Sequence, residues 1–432
     1  MTGPIDLHDP DALVAADTAG LLPSAALAGA QVRATAEQIA SFADFGRPRA
    51  LVVIGANATV DAVLLTALVG DVPAPVVTAT TLPSWVGPLD IVVVLASVVD
   101  DIACAEAAAE AARRGARLIV RAAADGPVAE AAAGSVLLDP LVPVTEALAG
   151  AARLTVLLGV AAAAGFGRRP DFPAAADQLD ALSVACHPSS EFFVNPALTL
   201  AEHLSAGTPL IIGTDPVADA LAGYTCRSLA ALAGYIGAPL LSYQAAGSPP
   251  VLASAARTDG PAGTFYDPFL DDAADTSERG QTVSSVLVVG PSAQSTAAFP
   301  AGSGLLPLDS LPAFGSEPVD PTRVSVVPRS PLAAALQAAL PRAISIGPEE
   351  LTTTEQPTDA ADAPPPARDA FSWTLAMMGR IDFAAVYLGL RSGARPPMDS
   401  PDGLGRPGSA ARHLPSTGAR AAWSERESGS WS

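Results

Sequence analysis

Six polar side chains follow short apolar runs, at points where a buried strand would give way to a helix. They are Asn57, Thr59, Ser97, Thr214, Asp215 and Ser292. Hydroxyls and backbone N–H groups at a helix N-terminus can bind a sugar or a phosphate, because the helix dipole favours an anion there. The same residue types are ordinary N-terminal helix caps. The pattern leaves two alternatives open, a ligand site and structural capping.

One of these turns occurs twice in the chain. The copies read VVIGAN at residues 52–57 and LIIGTD at residues 210–215, so that Gly55 corresponds to Gly213. An aspartate follows each copy at the same spacing, Asp61 in the first and Asp219 in the second. An apolar run, a glycine turn and a helix-forming stretch are typical of a buried parallel strand that leads into a helix. The repeat predicts two similar α/β domains related by duplication, each with its ligand end at the turn.

The alternation of strand and helix patterns predicts two doubly wound parallel sheets. Strands are expected at 49–54, 75–77, 90–96 and 118–120, and again at 209–212, 239–242, 283–289 and 323–327. Helices are expected at 25–43, 59–68, 103–114, 128–133, 140–164, 217–233 and 331–340, and an amphipathic helix at 370–391.

Shifts in composition predict the domain organisation. A first domain with an N-terminal cap spans 1–166, a crossover linker spans 167–194, and a second domain spans 195–348. A Pro-rich break and the C-terminal helix occupy 349–395. Residues 396–432 are rich in Pro, Gly, Ser and charge, which predicts a disordered tail.

The charge balance excludes several kinds of chemistry. The 432 residues carry a net charge of −20, and none of them is lysine. A lysine Schiff base, a lysine general base and a lysine phosphate anchor are therefore impossible. The acidic composition also argues against a nucleic-acid partner, because few cations would neutralise the phosphates.

Cysteine and histidine usage predicts neither a metal site nor a cofactor. The three cysteines lack CxxC spacing and the four histidines are scattered, so free buried thiols are expected. The most apolar stretch, Leu154–Phe166, has about 13 residues, whereas a membrane span needs about 20, so it predicts a buried core helix. The acidic start, with Asp6 and Asp9, differs from a secretion signal, and a cytoplasmic protein without membrane association is expected.

Several stretches, in their order along the chain, resemble the sugar isomerase (SIS) superfamily, and within it the bacterial and archaeal bifunctional phosphoglucose/phosphomannose isomerases. They are the doubled turn at 52–57 and 210–215, Asn195-Pro196-Ala197 with Leu200-Ala201, residues 207–213, and residues 381–390 with Gly393. The resemblance covers roughly residues 40–395. It implies two SIS-type domains with a C-terminal helical segment, a phosphosugar ligand, and aldose–ketose isomerisation of a hexose phosphate. It also implies a homodimer, because sites in this superfamily often form between subunits.

The family's motifs are incomplete in this chain. The phosphate turn Ser-Gly-Asn-Thr-Glu becomes Ser97-Val98-Val99-Asp100-Asp101, in which only the serine is kept. Asp100 and Asp101 suit helix capping better than phosphate binding, because a carboxylate repels an anion. The family's C-terminal catalytic lysine is absent, and the region of its glutamate and histidine contains Asp267-Pro268.

Two catalytic candidates and seven ligand candidates remain. Asp267 could serve as the base in place of the family's glutamate, or it could mark only a turn. Arg227, near the position of the family's arginine, could bind a phosphate through two nitrogens. The substrate-binding candidates are Gly55, Asn57, Thr59, Ser97, Thr214, Asp215 and Ser292. Two functions stay open: a phosphosugar isomerase with rearranged catalytic residues, or an inactive SIS protein that binds a phosphosugar or a protein partner as a regulator.

Overall fold

The computed structural model describes residues 5–256, 283–290, 343–347 and 370–394, together with Leu332, Leu336 and Leu340. It contains two parallel β-sheets, one built around each copy of the repeated turn, with helices between the strands. The predicted α/β fold with two doubly wound parallel sheets is therefore confirmed.

The first sheet follows three N-terminal helices, which are α1 (Pro10–Ala16), α2 (Leu21–Ala26) and α3 (Ala28–Ile39). Its strands are β1 (Leu51–Ile54), β2 (Val76–Ala79), β3 (Ile91–Leu95), β4 (Arg117–Arg121) and β5 (Val136–Leu138), and its helices are α4 (Ala58–Val69), α5 (Ile102–Arg113) and α6 (Pro127–Ala131). The strands are parallel in the order β2-β1-β3-β4-β5. The strand β5, three residues long at the edge of the sheet, is not among the strands that the sequence predicts.

Helices connect the two halves. This part of the chain contains a 3₁₀ turn (Glu146–Leu148), α7 (Gly150–Ala163), α8 (Phe172–Ala185) and α9 (Pro196–Leu204). Helix α7 is buried along nearly its whole length, as predicted for the apolar stretch that begins at Leu154. Within the described ranges, no helix is long and apolar enough to cross a membrane. Helix α8 lies inside the stretch expected to be a linker, and the domain boundaries stay a prediction.

The second half repeats the arrangement of the first. Its elements are β6 (Thr208–Gly213), α10 (Pro216–Ser228), a π-helical turn (Leu229–Ala233), β7 (Ala238–Leu240), α11 (Ser242–Gly247), α12 (Pro249–Ala256), β8 (Val283–Val289) and β9 (Ile344–Ile346). The strands are parallel in the order β7-β6-β8-β9. The strand expected at 323–327, most of the helix expected at 331–340, the Pro-rich break and the tail lie outside the described residues.

The C-terminal helix α13 (Ala370–Ser392) packs against helices of both halves, including α7, α8, α9 and α10. Every residue from Ala370 to Leu390 except Ser372 is buried, so the prediction of an amphipathic helix is wrong. Its polar residues do not form a solvent-facing stripe, because they have partners inside the protein. Nε of Arg380 donates to the carbonyl oxygen of Pro196 at 2.9 Å, and Asp382 accepts hydrogen bonds from α10.

Gly55 allows β1 and β3 to approach closely where the first turn begins. Its φ is 151°, a conformation that favours glycine, and a Cβ atom there would collide with the carbonyl oxygen of Leu95. We expect Gly55→Ala to lower the free energy of unfolding by about 2 kcal/mol or more in a urea titration. Gly46→Ala is the matched control, because Gly46 also has a positive φ of 67° but its Cβ would meet open space. Equal costs for the two variants would contradict this role of Gly55.

Candidate functional site

The carboxyl ends of β1 and β3 form the switch point of the first sheet. The chain order reverses here, since β2 lies beside β1 on one side and β4 beside β3 on the other. Ligands of open α/β sheets bind at such points. Ile54 of β1 pairs with Val94 of β3, and Asn57 and Ser97 each lie three positions beyond this pair. The strand register therefore brings these two predicted site residues to the same edge.

Asn57 occupies the N-cap position of α4, but its side chain does not cap the helix. Instead, its Oδ1 accepts a hydrogen bond from Nε of Arg227, on α10 of the other half, over 2.5 Å. The N-terminal turn of α4 thus has no side-chain acceptor among the described residues. An uncapped helix N-terminus favours an anion. We refer to Asn57, Ser97, Arg227 and the first turn of α4 as the β1–β3 site.

Side-chain caps occur on five of the described helices, whereas α2, α3, α6 and α7 resemble α4 in having none. Helices α1, α5, α8, α9 and α10 are each capped by an aspartate or asparagine, namely Asp9, Asp101, Asp171, Asn195 and Asp215. The capping role predicted for Asp101 is confirmed, since its Oδ1 accepts from the backbone N–H of Cys104 at 3.0 Å.

The second copy of the turn has the opposite arrangement. Asp215, which corresponds to Asn57, caps α10 by accepting from the backbone N–H of Ala218 at 2.8 Å. Thr214 donates from Oγ1 to the carbonyl oxygen of Val289 at 2.9 Å, and both site candidates are buried. A carboxylate on the helix N-terminus repels an anion. The two copies have therefore diverged, and the first is the better anion site.

Two polar atoms of the β1–β3 site are buried without a hydrogen-bond partner among the described residues. They are Oγ of Ser97 and Nη1 of Arg227. A buried polar atom without a partner costs about 1–3 kcal/mol, and such atoms are few in native proteins. A hydroxyl and a guanidinium nitrogen are both able to donate to an anionic oxygen. A phosphoryl oxygen accepts hydrogen bonds from donors of both kinds.

A buried ion-pair cluster lies beside this site, on α4, the 3₁₀ turn at Glu146, α7 and the end of β4. Arg153 is completely buried, and its Nε lies 2.7 Å from Oδ2 of Asp61 and its Nη1 2.6 Å from Oε1 of Glu146. Nη1 of Arg121 lies 3.4 Å from Oε2 of the same glutamate. Burial acts to lower the pKa of Arg153, but the charges of Asp61 and Glu146 outweigh it and raise the pKa above its usual range. The cluster joins two cations to two anions, so Arg153 and Arg121 already have counter-charges.

Asp382 of α13 forms a second buried polar group, with Tyr224 and Ser228 of α10. The tyrosine hydroxyl donates to both carboxylate oxygens, at 3.0 and 2.8 Å, and Oγ of Ser228 donates at 2.9 Å. Burial raises the pKa of Asp382 to about 6, while the two hydrogen bonds oppose that rise. Burial also raises the pKa of Tyr224, so its hydroxyl stays a donor.

The remaining candidates are scattered or lie outside the described residues. Thr59, in the first turn of α4, has an exposed side chain. Asp267 and Ser292 lie outside the described ranges, and their roles stay predictions. The sequence reasoning missed Asp61, Glu146, Arg153, Tyr224 and Asp382 as parts of polar clusters. The only local signals were the repeated aspartate at Asp61 and a single carboxylate within the apolar stretch 381–390.

The thiols and acidic groups in the described part of the chain form no further site. Cys104 and Cys186 are buried and Cys226 partly buried, and burial raises the pKa of Cys186 and of Cys226 to about 12. Among the residues whose positions are described, no group of three or more His, Cys, Asp or Glu side chains could hold a metal ion.

Sequence comparisons identify no relative, whereas solved structures share the fold. No family model matches the chain, and no curated protein matches its sequence. A hypothetical protein from Thermus thermophilus has a TM-score of 0.53 at 12% identity, with 88% of this chain and 88% of that chain covered. The C-terminal domain of glucosamine-fructose-6-phosphate aminotransferase from Francisella tularensis has a TM-score of 0.50 at 8% identity, with 88% and 96% covered.

A third similar structure is a candidate phosphosugar isomerase from Clostridium difficile 630. Its TM-score is 0.50 at 8% identity, and 86% of this chain and 93% of that chain are covered. At these identities the likeness concerns the fold. It spans both sheets of this chain, so the predicted SIS-type architecture is confirmed: the chain is a two-sheet α/β protein with the SIS-type fold.

Proposed function

We propose that this chain binds a phosphorylated sugar at the β1–β3 site. The observation that carries the proposal is a pair of buried donors, Oγ of Ser97 and Nη1 of Arg227, that have no hydrogen-bond partner in the described part of the chain and lie beside the uncapped N-terminus of α4. The fold supports it, because similar structures include a glucosamine-fructose-6-phosphate aminotransferase domain and a candidate phosphosugar isomerase.

The phosphoryl group would be held by three kinds of donor. Arg227 supplies a charge-assisted hydrogen bond, Ser97 a neutral one, and the first turn of α4 supplies backbone N–H groups with the positive end of a helix dipole. Nε of Arg227 already donates to Asn57, which fixes the direction of the guanidinium and leaves Nη1 for the ligand. Because α10 belongs to the other half of the chain, the site joins both halves of the duplication.

The second part of the proposal is that the protein isomerises the sugar phosphate that it binds. Aldose–ketose isomerisation of a hexose phosphate needs a base that moves a proton between C1 and C2. The carboxylates of the two buried polar clusters, Asp61, Glu146 and Asp382, all have partners in the structure. Asp267 remains the proposed base, and binding without turnover is the alternative function. Exchange of the C2 proton of the sugar with heavy water separates the two, because a protein that only binds catalyses none.

Calorimetric titration with glucose 6-phosphate, fructose 6-phosphate and mannose 6-phosphate tests binding, with free glucose as the control ligand. We expect a sugar phosphate to bind, Arg227→Gln to weaken it about tenfold to a hundredfold, and Ser97→Ala to weaken it several-fold. Arg113→Gln and Ser41→Ala are the matched controls, because both residues are exposed and lie outside the site. If no sugar phosphate binds at millimolar concentration, or if the site variants behave like the controls, the proposal fails.

We also propose a homodimer, which the family resemblance implies, and a cytoplasmic location. Light scattering coupled to size-exclusion chromatography measures the oligomeric state directly. A monomer at all concentrations would remove the dimer from the proposal without affecting the β1–β3 site, whose described residues all come from one chain.

A further inference from the structure

Asp382 connects the middle of α13 to the turn of α10 that carries Arg227. Asp382 is 7% exposed, and its two donors, Tyr224 and Ser228, are completely buried. Both donors point their hydroxyl groups at this one carboxylate, over 2.8–3.0 Å. These contacts satisfy a buried charge and at the same time anchor α10 to α13.

The two donors flank Arg227 along α10. Tyr224 and Ser228 are four residues apart, one helical turn, so they lie on the same face of the helix. Arg227 lies between them in sequence and projects toward Asn57, which its Nε contacts at 2.5 Å. A shift or rotation of this turn would move the guanidinium away from the β1–β3 site.

We propose that Asp382 is a positioning residue for phosphoryl binding: by accepting hydrogen bonds from Tyr224 and Ser228, it holds the turn of α10 that aims Arg227 at the β1–β3 site. This inference rests on the proposed function. Asp382 does not touch the ligand in this account; it acts through α10.

Removing the charge of Asp382 should change ligand affinity in opposite directions for a positioning role and for a purely electrostatic role. The groups that face the carboxylate are Tyr224, Ser228 and Arg227 from α10 and Arg153 from α7. If its negative charge only weakened the attraction between Arg227 and an anion, removing that charge would tighten binding. If it positions Arg227, removing it weakens binding, because the hydrogen bonds to α10 are lost.

The test measures binding of glucose 6-phosphate to the full chain by calorimetry. We expect Tyr224→Phe to weaken binding about fivefold and Asp382→Asn about tenfold or more. Thr225→Val is the matched control, because Thr225 is buried on the same turn of α10 but its Oγ1 bonds to the carbonyl oxygen of Leu221. We expect the control to bind as the wild type does. Tyr224→Phe keeps the ring in place and so tests the inference even if Asp382→Asn does not fold.

The pH profile of affinity is a readout that a general loss of packing would not change. Protonation of Asp382, whose pKa burial raises to about 6, removes acceptor capacity for Tyr224 and Ser228. The ratio of wild-type to Asp382→Asn affinity should therefore fall as the pH decreases from 7.5 to 5.5, and the ligand's own titration cancels in this ratio. A constant ratio, or unchanged or tighter binding by both variants, would overturn the inference. If the wild type bound no sugar phosphate, the proposed function itself would fail.

Discussion

Replacing Arg153 with methionine is expected to lower the free energy of unfolding by about 3–5 kcal/mol, the usual cost of removing one partner of a buried ion pair. Asp61 and Arg153 are each about 1% exposed, and their closest atoms lie 2.7 Å apart. Arg153 also donates from Nη1 to the side chain of Glu146 and, at 3.0 Å, to its carbonyl oxygen. Methionine fills a similar volume but leaves the carboxylate of Asp61 buried without a counter-charge.

Urea unfolding of three variants checks this expectation. Arg113→Met is the exposed control, because Arg113 pairs with Glu110 on the surface of α5 and such pairs contribute about 0–1 kcal/mol. The double variant Arg153→Met with Asp61→Leu removes the unpaired charge, so it should recover part of the loss. If Arg153→Met lowered the free energy of unfolding no more than Arg113→Met does, the buried ion-pair cluster would not stabilise the fold as expected.

Replacing Asn57 with aspartate is expected to abolish measurable binding of a sugar phosphate, with a loss of a hundredfold or more. The variant gives the first copy of the turn the residue type that caps α10 in the second copy, at Asp215. The new carboxylate would cap α4 and pair with Arg227, and it would also repel the phosphoryl group. Each of these effects acts against the ligand.

Stability distinguishes this loss from misfolding. A new cap and a new ion pair should raise the free energy of unfolding by about 1 kcal/mol, so the variant is expected to be more stable while it no longer binds. Gln244→Glu is the matched control, because it adds the same charge at an exposed position on α11. Wild-type affinity in the Asn57→Asp variant would place the phosphate somewhere other than the N-terminus of α4.

The parts of the fold that local patterns specify could be predicted from the sequence. β1 and β3 are buried on both faces, so each is a continuous apolar run that the sequence shows clearly. The repeat around Gly55 and Gly213 identified the two corresponding turns, and both lie at the carboxyl ends of paired central strands. The edge strands β5 and β9 were not predicted.

The parts that depend on tertiary pairing could not be predicted. Asn57 and Asp215 occupy corresponding positions and are both good caps, yet only Asp215 caps its helix, because Arg227 takes the side chain of Asn57. Arg153 and Asp61 are distant in sequence, and no local pattern relates them. The burial of α13 depends on the helices that pack around it. Its polar residues suggested a solvent-exposed face, but nearly all of the helix is buried.

A crystal structure of the protein with glucose 6-phosphate bound tests the central claim most directly. We expect the phosphoryl oxygens to lie within hydrogen-bond distance of Oγ of Ser97 and Nη1 of Arg227, against the first turn of α4. Two results would contradict this expectation. One is a phosphate bound at the Thr214–Asp215 turn of the second copy, and the other is no ligand density at the β1–β3 site in a crystal soaked at a saturating concentration of glucose 6-phosphate.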